Sequence, residues 1–424
     1  MISKTLKIAD GVNIHYIRTE KFKSNIISFN FITQANNENV HLNAMIPLML
    51  LRGCRNYPTQ SEINKRLQYL YSGVIDTKNE KQGEFQVFGF DIDMLSDRFS
   101  NDTEITKEST ELLCDIIFDP YFENGAFSEQ YLENEKINLI DTIEAEINNK
   151  TKYSTSRCVE EMSKGTAFAV KRFGEVENVK KITPETLYEA YVKALSTIPA
   201  EIYVVGECDF EMIAQQFKER FASIKRNVVY PSFSQIKRKA EEVTEISEKQ
   251  DVKQGKLCIG FRTGKNIQDG DHHIAQLFSE IFGASPTSKL FMNVREKMSL
   301  CYYCRSMISQ RTGIMLVAAG IEFANKDIAQ KAILEQLDAI KNGDISSEEL
   351  ENAKRSLKNS YMHVYDNPSA MQAWTLYRAI SDNHDEPVDE AKRVEEATVE
   401  EIASFAKNIT LDTVYFLKGE DENG

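Results

Sequence analysis

The chain has 424 residues, 42% hydrophobic and 27% charged, and its 65 acidic against 51 basic residues give a formal net charge of −14. A length of this order is enough for roughly two to three domains with packed cores, and the composition excludes global disorder. The acidic balance argues against a general nucleic-acid binder, which needs a basic face to displace counterions, and the longest apolar run, the eight residues Ala44–Leu51, falls short of the ~20 a membrane-spanning helix requires.

The opening segment MISKTLKIADGVNIHYI has a lysine but no apolar core of signal-peptide length. Seven scattered cysteines read as free thiols of a reducing compartment. A cytoplasmic protein with no membrane or nucleic-acid partner is the expectation. GVNIHYI (11–17) and NIISFNFIT (25–33) read as a pair of strands. An apolar helix follows, then a short helix leading into the alternating strand EFQVFGFDIDML (84–95). FSEQYLENEK (127–136) opens a long helix with Ser128 as cap, ITPETLYEAY (182–191) opens another behind a Thr, and AEIYVVGE (200–207) is a buried strand ending in Gly. The stretch 226–254 is polar, charge-rich and without a long apolar period, and reads as a connection.

Beyond it the plan repeats. KLCIGFRTG and GIMLVAAGIEF are strands, ISSEELENAK (345–354) answers FSEQYLENEK, ATVEEIASFA (397–406) answers ITPETLYEAY, and DTVYFLKGE (412–420) answers AEIYVVGE. Three blocks recur in order at offsets of 213 to 218 residues, so the chain is an internal duplication. The expected architecture is α+β: two homologous domains, each an antiparallel sheet packed with helices, with domains at 1–225 and 255–424 joined by a linker at 226–254.

These blocks resemble the insulinase/pitrilysin family of zinc peptidases over nearly the whole chain. SPTSKLFMNVREKMSLCYY (285–303) is similar to the family's second-domain signature S-R-L-F…R-E-K-x-G-L-A-Y, and NAMIPLMLLRGCRNYP (43–58) occupies the place of its H-x-x-E-H helix. The resemblance implies two such chains, or two halves of one, closing around a peptide. It also implies zinc held by two histidines four residues apart on one helical face, with the intervening Glu activating water. Anchored on Gly53, the first His falls on Ala44, the Glu on Pro47 and the second His on Leu48, none of which can hold zinc. Pro47 is also a poor helix-interior residue. The family's distal glutamate falls on Thr142, seven residues after Glu135 of the Glu135–Lys136 pair, with Glu144 and Glu146 as neighbouring candidates under a shifted register.

The second signature keeps its functional pair. By resemblance Arg295 holds a substrate carbonyl and Tyr302 stabilises the oxyanion, against the plainer reading that Arg295 pairs with a nearby Glu and Tyr302 packs in the sheet. Ser285–Pro286 offers a cap and first-turn proline for the helix carrying Arg295, and Ser299 stands at the family's Gly.

Other groups carry less. His272 and His273 follow Asp271, and Glu280 lies seven residues past His273, but two ligands do not make a zinc site. Cys301 and Cys304 have C-x-x-C spacing, yet residues three apart on a strand point to opposite faces. The functional expectation is a catalytically inactive, substrate-binding or chamber-forming subunit of a two-subunit zinc peptidase. It has no cofactor of its own, zinc being on the partner, and resembles bacterial paired members of the family. The partner is a zinc-bearing paralogue, or a second copy, and the substrate a peptide. The alternatives are a non-hydrolytic binding or assembly module of the same fold, and a metallopeptidase with an unorthodox site using His272 and His273.

Overall fold

Along Ser24–Gln34, Ile27, Phe29 and Phe31 face one way and Ile26 and Ile32 the other, and all five are buried. A strand apolar on both faces must sit inside a sheet with cover on each side. The computed structural model describes residues 1–100 and 104–419, and Glu420, the last residue of the second closing-strand block, lies outside them. The first unit comprises Met1–Glu144, Val170–Phe233 and Val364–His384.

Its sheet contains β1 (Lys4–Ala9), β2 (Val12–Arg18), β3 (Ser24–Gln34), β4 (Val74–Gln82), β5 (Phe85–Leu95) and β6 (Ala200–Gly206), in the order β1-β2-β6-β3-β5-β4. The strands expected to pair, β2 and β3, do not touch as neighbours. β6 inserts between them, parallel to β2 and antiparallel to β3. The reason is burial: six of the seven β6 residues are buried, and only an interior place in the sheet accommodates that. One face packs on helix α1 (Val40–Leu50) and on the helices Ile105–Phe118, Pro184–Thr197 and Phe210–Ala222. The other carries Ile17, Val87, Tyr203 and Val205, covered by Met371 and Leu376 of the helix Pro368–Ile380.

The second unit comprises Ala145–Ala169, Ser234–His363 and the chain from Asp385. Its sheet runs β7-β11-β8-β10-β9, with β7 (Thr244–Lys249), β8 (Gly255–Arg262), β9 (Cys301–Ser309), β10 (Ile314–Ile321) and β11 (Thr410–Lys418). Apart from β1 this is the order of the first sheet, strand for strand, and β7 lies parallel to β11 as β2 does to β6. The duplication is therefore visible in topology.

Two boundaries differ from the sequence reading. β7 falls inside the stretch read as a linker. TEISEK alternates exposed and half-exposed residues, a polar edge strand with no apolar period to announce it. Neither unit is continuous in sequence either. The helix Lys150–Met162 belongs to the second unit, where Cys158 and Met162 pack on Cys258, Ile314 and Tyr415, and the helix Pro368–Ile380 belongs to the first. Three of the four repeated helices are capped as written. Thr183 and Thr398 each accept from the amide three residues on, and Ser346 accepts from Glu349 at 3.2 Å. Among the described residues no helix is long and apolar enough to cross a membrane.

Candidate functional site

α1 is apolar almost throughout, and Pro47 falls in its last turn, where its missing N–H removes a single intrahelical bond, the one to the Asn43 carbonyl. That position explains how the helix continues through a proline the sequence marks as unfavourable. Ala44, Pro47 and Leu48 line one cavity of about 210 Å³ together with Thr142 of the helix Glu129–Ala145. The four positions singled out by resemblance thus converge on one place. Glu144 and Glu146 are not among its lining residues, and Glu146 pairs with Lys152 at 2.7 Å.

The donor set does not fit zinc, which needs nitrogen, sulfur or oxygen ligands at about 2.0–2.3 Å. A methyl, a pyrrolidine ring and an isobutyl group offer no lone pair. The Thr142 hydroxyl donates to the Asn138 carbonyl at 2.8 Å. Glu135, the one carboxylate on the cavity wall, is ion-paired with Arg52. Groups of three or more His, Cys, Asp and Glu able to hold a metal are absent among the described residues.

The remaining wall comes from Asn138 and Leu139 of the same helix as Thr142, from Thr77, Lys78 and Asn79 of β4, and from Arg172 and Phe173. β4 is the edge of its sheet, bonded to β5 alone. A buried amide network ties this edge to α1: Gln86 Nε2 donates to the Val40 carbonyl at 2.9 Å and to Asn79 Oδ1 at 3.0 Å, and Asn43 Nδ2 donates to Gln86 Oε1 at 2.9 Å. Arg172 Nε in turn donates to the Asn79 carbonyl at 2.6 Å. Sequence reasoning missed Asn79, Gln86 and Arg172. The charged run DTKNEKQ is an edge-strand signal, but nothing local places Arg172 beside it.

Arg295 and Tyr302 lie in the second unit. Arg295 is on the π-helical segment Leu290–Lys297, where the Phe291 amide donates to the Ser288 hydroxyl at 3.4 Å, while the expected cap Ser285 donates to the Glu280 carbonyl instead. Its side chain is 37% exposed, its guanidinium lies 4.5 Å from the Phe291 ring centre, and its Nε is 3.7 Å from the Glu296 carboxylate. The pairing with a neighbouring Glu is therefore present. Ser299 adopts φ +53°, the left-handed turn a glycine favours, so the turn survives the replacement at an expense of about 1 kcal/mol.

Immediately after it the β9–β10 register slips: Tyr303 faces Gly320 and Cys301 faces Ile321. Tyr302 is the extra, bulged residue. It is 59% exposed instead of packed in the sheet, and its hydroxyl donates to Glu322, whose carboxylate raises the phenol above its ordinary value and keeps it protonated. The same bulge brings Cys301 and Cys304 to one face, contrary to the alternation expected of a regular strand. Both are buried, and the Cys301 thiol together with burial pushes Cys304 well up. All seven cysteines are free. His272 Nδ1 bonds Gln310 Oε1 at 2.6 Å. His273 and Glu280 part company: burial lowers His273 among Glu390, Arg393 and Glu401, and burial raises Glu280 beside Ser356.

Residues 181–357 match the family described as the peptidase M16 inactive domain. The chain is 33% identical over 413 residues to the probable inactive metalloprotease YmfF of Bacillus subtilis, covering 97% of this chain and 96% of that one. A shorter match, 33% over 121 residues and 28% of this chain, is to the uncharacterized zinc protease YmxG of the same organism. A conserved protein from Enterococcus faecalis superimposes with a TM-score of 0.91 at 28% identity, over 99% of both chains. With the fold duplicated, the signature positions gathered at one cavity and the ligands missing from it, the chain belongs to the M16 peptidase family as one of its inactive homologues.

Proposed function

We propose that this chain is the substrate-holding, chamber-forming subunit of a two-chain peptidase, in which an H-x-x-E-H-bearing paralogue supplies the zinc and the base. The observation that carries the reading is the cavity on α1: its walls are built, its ligands are gone, and an open strand edge runs beside it. An unpaired edge offers backbone donors and acceptors to an extended peptide, and a neighbouring pocket supplies side-chain selection. Arg295 and Tyr302, exposed on the second unit and both hydrogen-bond donors, are the groups we assign to the substrate carbonyl. A zinc-bearing paralogue serves as partner better than a second copy, which would bring the same ligand-free cavity.

Purifying the full chain with such a paralogue tests this. The pair should cleave peptides that neither chain cleaves alone, and Arg295→Ala with Tyr302→Phe should lower that rate about 100-fold. A paralogue equally active without this chain overturns the reading. Full activity of the double variant removes the two contact roles alone. The Tyr302 hydroxyl is already engaged by Glu322, which favours a second reading, a binding module that holds peptide without assisting hydrolysis. Peptide binding by the isolated chain, with no paralogue able to activate it, would select that reading.

A further inference from the structure

Resting on the reading that an extended peptide lies along β4, we infer that the cavity beside this edge selects an acidic side chain and that Arg172 is the group that recognises it. The charges around the cavity lead there. Glu135 is neutralised by Arg52. Lys78 sends its ammonium to Asp91 at 2.8 Å, with Ser28 at 3.0 Å and Asn30 at 3.1 Å. The contacts of Arg172 among the described residues are with Asn79 and the Phe173 ring and include no carboxylate, so it is the uncompensated charge on the wall.

It is also held in place. Its Nε donates to the Asn79 carbonyl at 2.6 Å, Asn79 Nδ2 returns a bond to the Arg172 carbonyl at 3.3 Å, and the guanidinium lies 4.7 Å from the Phe173 ring centre. The terminal nitrogens, Nη1 and Nη2, have no acceptor among the described residues. Two parallel N–H groups on a fixed guanidinium match a carboxylate in bidentate fashion.

Size and position narrow the ligand. A space of about 210 Å³ admits one side chain and no more. Thr77–Asn79 stand in the middle of the nine-residue β4, and with the Asn79 carbonyl already held by Arg172 a strand laid on this edge pairs on the Val74–Thr77 side and brings a side chain to the cavity.

The test uses the full chain and N-acetylated, C-amidated Thr/Val-rich nonapeptides in which a single Glu is scanned through the sequence, each with a Gln twin, read by fluorescence polarisation. One Glu position should bind about tenfold tighter than its Gln twin, and the gap should shrink at high salt. Arg172→Met should bring the twins to within about twofold, while Arg172→Lys should keep part of the difference. Peptides that bind with no Glu–Gln gap, or a gap that survives Arg172→Met, overturn the inference and leave the peptide-holding reading standing. A gain that appears only with a free C-terminal carboxylate also overturns it. If no peptide binds at all, both fall.

Discussion

His41 is the only imidazole on α1, and it stands away from the cavity that Ala44, Pro47 and Leu48 line. Its Nδ1 is buried without a hydrogen-bond partner, and burial lowers its pKa below the ordinary 6.5. The folded chain therefore binds this proton more weakly than the unfolded chain, and stability must fall as pH drops through about 6.5. His41→Leu should blunt the loss of urea stability between about pH 7 and pH 5, leaving the share that belongs to His273, which burial lowers in the same way. An unchanged pH slope in the variant would show that His41 titrates alike in both states. At this scale the sequence was informative where chemistry is carried by residue type: side chains without lone pairs at Ala44, Pro47 and Leu48 are legible as non-ligands. Arg172 was not legible, because its importance comes from the Asn79 carbonyl it meets, a neighbour ninety-three positions away.

Helix caps and strand registers set where these side chains point. Lys289, next to the signature Leu290, is buried and pairs with Glu349 at 2.9 Å, while the other oxygen of Glu349 accepts from the Ser346 amide at 2.8 Å. One carboxylate thus closes a capping box and neutralises a buried ammonium of the segment that carries Arg295. Glu349→Gln should lower stability by about 2–3 kcal/mol in denaturant titration, since it strands the Lys289 charge, and Lys289→Met added to it should recover most of that loss. A single variant within error of the wild type would mean that the ammonium finds water instead. The capping serine could be read directly from its sequence block, as could β5, β6 and β10, whose apolar patterns are strong. The bulge at Tyr302 could not be read, because a register slip is decided by the partner strand: β10 meets Tyr303 with Gly320 and Cys301 with Ile321. For the same reason a period-two argument separated Cys301 from Cys304 when the folded strand brings them together.

For the whole molecule, the duplication was visible in the recurring blocks, but the exchange of segments between its two halves was not. An amphipathic helix advertises that it covers a sheet, never which sheet. The helix Pro368–Ile380 covers Ile17, Val87 and Val205 of the first unit, and the helix Lys150–Met162 covers Cys258 and Tyr415 of the second, where Arg262 pairs with Asp412 at 2.7 Å and donates to the Met162 carbonyl. Cutting the chain at 225/226 therefore leaves each fragment with one apolar sheet face bare. Expressed separately, residues 1–225 and 226–424 should lack cooperative unfolding by circular dichroism, and co-expression should restore it. Cooperative unfolding of either fragment alone would contradict the exchange. The claim on which the functional reading depends is that the cavity on α1 cannot hold zinc. Metal content decides it: the purified full chain, incubated with zinc and dialysed, should retain well under one equivalent and show no chelator-sensitive hydrolysis, whereas one tightly held zinc per chain, lost on Glu135→Gln and accompanied by such hydrolysis, would contradict it.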